Sequence, residues 1–185
     1  MKATEILMSE HRVIERVLTV LDAAADHLES GKALRVGLFI EAASFISGFA
    51  DGCHHRKEEG VLFTTMARYG IPVEGGPIGA MLSDHEQARL FTKGMRESAQ
   101  KVESGESSAL RMLIQNARGY ASLLRQHIQK EDNILFPMAN RFIPVAEQDK
   151  VFDGFEHVEH EETGEGVHEK YLALADALER EMGLA

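Results

Sequence analysis

Two ten-residue segments carry the groups best able to do chemistry. HHRKEEGVLF from His54 and HIQKEDNILF from His127 share a histidine, a glutamate four residues on, a second acid and an aliphatic-Leu-Phe ending. Residues four apart on a helix lie about 40° apart around its axis and one turn apart along it, so His54 with Glu58, and His127 with Glu131, each form a claw for one ion. His55 falls about 100° from His54, with Glu58 between them in projection, which suits a carboxylate shared by histidines bound to different metals. Imidazoles and carboxylates on the inner face of a helix cost several kcal/mol of solvation unless they pair or coordinate a cation. A set of histidine and carboxylate ligands without thiolate favours iron over manganese or zinc, and two bridging acids favour a pair of metals.

The elements that must position these claws are legible from apolar residues at steps of three and four, which predict four long helices. The first runs from about Thr4 to Glu29, with His11 on its stripe and Gly31 as a stop; the second runs from about Leu34 to Tyr69 and ends in GIPVEGGP. The third starts near Ile78 after Pro77 and carries His85 on its stripe to about Glu103; the fourth begins after Ser107 or Ser108, and Pro137 is expected to kink or end it. Beyond Pro144 a short helix to about Phe155, a polar Gly-interrupted segment and an amphipathic helix near Val167 to Glu181 complete the chain.

Depth is an independent check on the claws. In antiparallel neighbours joined by short loops, residues equally far from the connecting loop meet at one level. His11 lies about 18 residues before the first loop and His54 about 20 after it; His85 lies about 18 before the third loop and His127 about 19 after it. All four fall at one level, and His55 becomes a candidate fifth imidazole.

The expected fold is therefore all-α, an antiparallel up-down four-helix bundle with extra C-terminal helices, dividing into residues 1–142 and an extension over 143–185 packed on them. A chain of 185 residues can bury such a core without a disulfide staple. The formal charge of −10 offers no basic stripe for nucleic acid or an anionic membrane surface. Cys53 stands alone, which excludes an internal disulfide framework and fits a reducing, cytoplasmic setting. No segment reads as a signal peptide or a membrane span. Phosphate loops, nucleophile elbows and C-x-x-C pairs are also missing, so other catalytic classes have no visible machinery. Ferritin-like carboxylate proteins need two E-x-x-H motifs, and only Glu165 to His168 fits.

Histidine on helix one, H-x-x-x-E on helix two, histidine on helix three and H-x-x-x-E followed by DNILFP on helix four resemble, over roughly Ser9 to Arg141, the hemerythrin-like, HHE cation-binding domains. The resemblance implies a bundle of hemerythrin type holding two non-haem irons bridged by two carboxylates and an oxo or hydroxo species. It implies Glu58 and Glu131 as bridges, His11 and His54 on one iron, and His85 and His127 on the other. Two departures stand out. Oxygen carriers have a second histidine one turn after the helix-three histidine, where this chain has Arg89; and the helix-four acid is at plus four, not plus five. His55 is placed to supply the missing ligand, as the residue after the helix-two histidine does in the iron-sensing hemerythrin-like domain of an F-box protein.

The remaining groups receive plainer expectations. Glu59 and Asp132 read as solvated acids or as groups orienting imidazole N–H donors, His27 as a surface residue, and Cys53 as a small buried one. His157, His160 and His168 lie too soon after Glu131, with two prolines between, for a full antiparallel return. The functional expectation is a diiron protein that binds or senses oxygen, nitric oxide, peroxide or iron, its ligand being a small diatomic or similar molecule. The alternatives are a diiron oxidoreductase acting on oxygen, peroxide or nitric oxide, or an interaction module with a structural metal, and the sequence names no protein partner.

Overall fold

The computed structural model describes residues 2–184, and no β-strand occurs among them. Four long helices form the bundle: α1 (Ala3–Glu29), α2 (37–68), α3 (Pro77–Glu103) and α4 (107–142). They run up and down, as the stripes require. α1 stops where Gly31 takes a left-handed φ of 71° and Lys32 N–H closes on the His27 carbonyl at 2.9 Å. Pro77 occupies the first turn of α3, where its missing N–H costs nothing.

Two apolar clusters pack the bundle at opposite ends. One gathers Ile14 to Ala24 of α1, Leu38 to Ala50 of α2, Ala88 to Ala99 of α3 and Leu113 to Ile128 of α4. The other gathers Ala3 and Leu7, Leu62 to Met66, Ile78 and Met81, and Leu135 to Ala139. On α1, α2 and α3 the expected ligands fall between the two clusters, and on α4 His127 and Glu131 flank Ile128, the last residue of the first cluster. The chemistry thus sits in a polar layer closed above and below by hydrocarbon.

Three details differ from the sequence reading. α2 begins at Gly37 and not at Leu34, since Leu38 and Phe39 make only turn-type bonds back to Arg35 and Val36. α4 continues past Pro137 to Phe142, because the five-residue π turn Glu131–Leu135 stands just ahead of the proline and interrupts the regular ladder there. The polar segment after Phe155, for which no element was expected, is largely helical: α5 (Gln148–His157) runs on through the π turn Val158–Gly164, and the expected glycine interruption falls at Gly164 and Gly166, both with positive φ.

The last helix, α6 (Val167–Met182), lies against α1 and α2. Arg16 pairs with Asp176 and Glu179, Arg35 pairs with Glu181 at 2.6 Å, and Ala175 and Leu178 join the first apolar cluster. Tyr171 packs on Gly48 so closely that a Cβ there would lie 2.0 Å from the ring. Among the described residues no helix is long and apolar enough to cross a membrane.

Candidate metal centre

The two halves of the bundle build the Glu58 and Glu131 ends of the centre alike, whereas His54 and His55 close a π-helical stretch, Ile46–His55, that α4 lacks. α2 carries His54 and Glu58 and then widens into the π turn Glu58–Leu62; α4 carries His127 and Glu131 and then widens into Glu131–Leu135. The phenylalanine that closes each segment stacks on a lone histidine of a neighbouring helix, Phe63 of α2 on His85 of α3 and Phe136 of α4 on His11 of α1. Phe63 lies 6.1 Å from the His85 ring and Phe136 lies 5.4 Å from the His11 ring, both near parallel. The two-fold resemblance in sequence is thus a two-fold resemblance in space.

His11, His54, His55, Glu58, His85, His127 and Glu131 are all buried, and they come together. Their ligand atoms form two groups, each within 4.8 Å: His11, His54, Glu58 and Glu131 in one, and His55, Glu58, His85 and His127 in the other. Glu58 belongs to both, with Oε1 3.4 Å from His54 Nε2 and Oε2 3.5 Å from His85 Nε2. Glu131 Oε2 reaches His11 Nε2 and His127 Nε2, each at 3.2 Å, and so also spans the groups. His55 joins the side that carries His85 and His127, its ring stacked on His85 at 3.8 Å.

The outer nitrogen of every one of these imidazoles meets a carboxylate. His11 Nδ1 faces Asp132 at 2.7 Å, His54 Nδ1 faces Glu10 at 2.8 Å, and His85 Nδ1 faces Glu59 at 2.7 Å. His55 faces Asp51 and His127 faces Asp84, each at 3.3 Å. An N–H at Nδ1 donating to an acid leaves the Nε2 lone pair directed inward, which is the tautomer a metal requires. The partners cross between helices in a regular way. The residue after each shared glutamate, Glu59 or Asp132, serves the lone histidine of α3 or α1; the residue before each lone histidine, Glu10 or Asp84, serves the claw histidine of α2 or α4. Even the lysines correspond, Lys57 bonding Glu10 at 2.6 Å and Lys130 bonding Asp84.

Sequence reasoning anticipated orienting roles for Glu59 and Asp132 but missed Glu10, Asp51 and Asp84. Adjacency to a ligand was the one signal for Glu10 and Asp84, and an acid four before His55 was the signal for Asp51. Lys57, with no exposed surface, was missed as well.

Inside this ring of acids the donors are left without hydrogen bonds. Nε2 of His11, His54 and His55 and all four carboxylate oxygens of Glu58 and Glu131 are buried and unpartnered, while Nε2 of His85 and His127 face each other at 3.1 Å. Buried polar atoms are nearly always satisfied, so this concentration of orphaned acceptors is what cations would relieve. The residues fit a two-metal group.

Without a metal, protons take up part of that role. Burial alone would lower the His54 pKa, but the charge of Glu58 and the bond to Glu10 raise it to about 10. His127 rises to about 9 against its burial because of Glu131 and Asp84. His55 goes the other way, to about 3, through burial and the neighbouring His85. Glu58 and Glu131 are held below the usual carboxylate range despite burial, chiefly by His54 and His127 respectively.

The other histidines stay outside. His157 and His160 are exposed beside Glu162 and Glu156, His168 lies near Glu159, and His27 is half-buried against the Ala23 carbonyl. Cys53 is buried, in agreement with its reading as a small interior residue.

The family model described as the hemerythrin HHE cation binding domain matches residues 2–139. The chain belongs to the hemerythrin HHE family. Two curated relatives of this hemerythrin domain are themselves uncharacterized: Rv1995 of Mycobacterium tuberculosis (strain ATCC 25618 / H37Rv) and Mb2018 of Mycobacterium bovis. Each is 22% identical over 182 residues, covering 98% of this chain and 71% of the relative. No solved structure matches the chain.

Proposed function

We propose that residues 1–142 are a non-haem diiron module that binds or senses a small molecule such as oxygen, nitric oxide or peroxide, or iron itself. Residues 143–185 are an extension packed on that module. The observation that carries this reading is the shell of unpartnered donors, with Glu58 common to two ligand groups and every imidazole oriented from outside by a carboxylate. His11, His54, Glu58 and Glu131 would hold one ion, and His55, His85, His127 and Glu58 the other, with Glu131 also spanning them. Nitrogen and oxygen donors without the Cys53 thiol support iron ahead of zinc or manganese. Two bound irons supply redox-active Lewis-acid centres at which a small oxygen- or nitrogen-containing molecule can bind.

The chain's own contribution is to aim five imidazoles inward, to supply two negative charges, and to exclude water with the apolar clusters at both ends. Metal analysis of protein purified without added metal, with optical spectra before and after air exposure, tests the reading. Iron near two per chain and an oxygen-sensitive spectrum are expected. Protein that carries no iron and takes up none as the ferrous ion would overturn it.

One observation favours a second reading, a diiron oxidoreductase. The group with His11 and His54 has two imidazoles where the other has three, which supports a more open position for a reactant. Stopped-flow turnover of oxygen, peroxide or nitric oxide with a reductant separates the readings. A metal that only braces the fold would raise stability and give neither response.

A further inference from the structure

A cavity of ≈260 Å³ opens between α2, α3 and α4 on the side of the centre where His55 lies. Its volume falls just under the range of pockets that hold drug-sized ligands, so its occupant must be small. Ile46 and Ala88 give it apolar walls, and Thr92 turns its hydroxyl away to the Ala88 carbonyl at 2.9 Å.

Two features in this lining have no internal explanation. Tyr120 is fully buried, yet no protein group accepts a hydrogen bond from its hydroxyl. Burial and the negative charge of Asp51 push its pKa up, so it remains a donor. Arg96 is the other feature. Its guanidinium donates only to neutral oxygens, the Ala43 carbonyl at 3.0 Å and the Ser47 hydroxyl at 3.2 Å, whereas Arg89 beside it is held by Asp51, Glu59 and Glu86. Lys93, also in the lining, is exposed and has only Glu97 at 4.0 Å. On a chain of net charge −10, this is a local excess of positive charge over an apolar hollow with a donor inside it.

We propose that this cavity binds a small organic carboxylate with an apolar body. The carboxylate pairs with Arg96, whose planar fork matches it, and with Lys93. The body lies between Ile46 and Ala88, and an acceptor at its far end takes the Tyr120 hydrogen bond. Inorganic anions lack the body that would repay leaving water for these walls. His55 and Asp51 also line the cavity on the side of the centre, but none of Arg96, Lys93 and Tyr120 is among the proposed ligands.

The test is calorimetric titration of the metal-loaded full chain with benzoate, 4-hydroxybenzoate, benzyl alcohol and inorganic phosphate. One saturable site is expected for the two aromatic acids, with benzyl alcohol and phosphate at least about tenfold weaker, the scale of losing a charged hydrogen bond. Arg96→Met should weaken both acids by about tenfold or more. Tyr120→Phe, which removes only an unsatisfied hydroxyl and should fold, is expected to leave benzoate unchanged and abolish the advantage of 4-hydroxybenzoate. No saturable binding up to millimolar acid, equal binding of benzyl alcohol or phosphate, or acid affinity unchanged in Arg96→Met would each overturn the proposal. An advantage of 4-hydroxybenzoate that survives Tyr120→Phe would overturn the assigned orientation.

Discussion

His55 and Ile128 occupy equivalent positions in the two halves of the bundle, each directly after its claw histidine, and only His55 brings a donor to the centre. Elsewhere the halves agree closely: His11 with His85, Glu10 with Asp84, Glu58 with Glu131, Phe63 with Phe136. The imidazole is thus what makes the two ligand groups unequal. Its pKa, driven down to about 3 by burial and by His85, keeps it neutral and available over the working range of pH.

His55→Ile restores the symmetry and should weaken metal at the His85 and His127 group by at least about 100-fold, more than the loss of an orienting acid would, while leaving the other ion in place, since the apolar replacement fills the space. Metal analysis after dialysis against a graded chelator series checks this. Loss of both ions together would mean that His55 acts on the whole bundle.

The register of HHRKEE is tested by Glu58→Ala against Glu59→Ala. Glu58 is fully buried and common to both groups, so its loss should remove both metals and about 3–5 kcal/mol of stability, roughly 10 °C in Tm. Glu59 touches only His85 Nδ1 and Arg89, so Glu59→Ala should retain both metals with about 10- to 100-fold weaker affinity on one. The reverse ranking would move the claw to His55 and Glu59.

Much of this was legible in the chain because burial imposes periodicity. The stripes, the shared depth of His11, His54, His85 and His127, and the two H-x-x-x-E claws all follow from one helical repeat and short loops. The π turns after Glu58 and Glu131 were not legible, because one extra residue in a turn leaves the apolar pattern almost unchanged. Glu10, Asp51 and Asp84 were missed because acids on helices are usually solvated, and what distinguishes these three is a partner, cross-helix for Glu10 and Asp84. The docking of α6 depends on Gly48 admitting Tyr171, a contact between positions far apart in sequence.

Lys57 and Lys130 should differ sharply. Both bond the acid that orients a claw histidine, but Lys57 is completely buried between Glu10 and Glu159 whereas the Lys130 side chain is 42% exposed. Lys57→Met leaves the buried Glu10 with His54 as its one partner and should cost about 3–5 kcal/mol, while Lys130→Met should cost under about 1 kcal/mol. Urea unfolding of the two variants measures the contrast, and equal costs would refute the asymmetry.

Metal-stripped protein should lose stability as the solution turns alkaline. His54 and His127 have folded pKa values raised to about 10 and about 9 from 6.5, so the stability they contribute is complete below pH 6.5 and disappears as pH rises through 9 to 10. Metal-loaded protein, whose imidazoles are already neutral, should not follow this fall. Thermal unfolding of both forms from pH 6.5 to 10 tests the sign, and a stripped form that gains stability over that interval would contradict it.

The most direct test of the central claim is an anaerobic titration of metal-stripped protein with ferrous iron, followed by bound metal and by released protons. Two ligand groups sharing Glu58 predict uptake that breaks at two irons per chain, with net proton release because His54 and His127 must give up protons to coordinate. A break at one iron per chain, or uptake that Glu58→Ala leaves intact, would contradict the account.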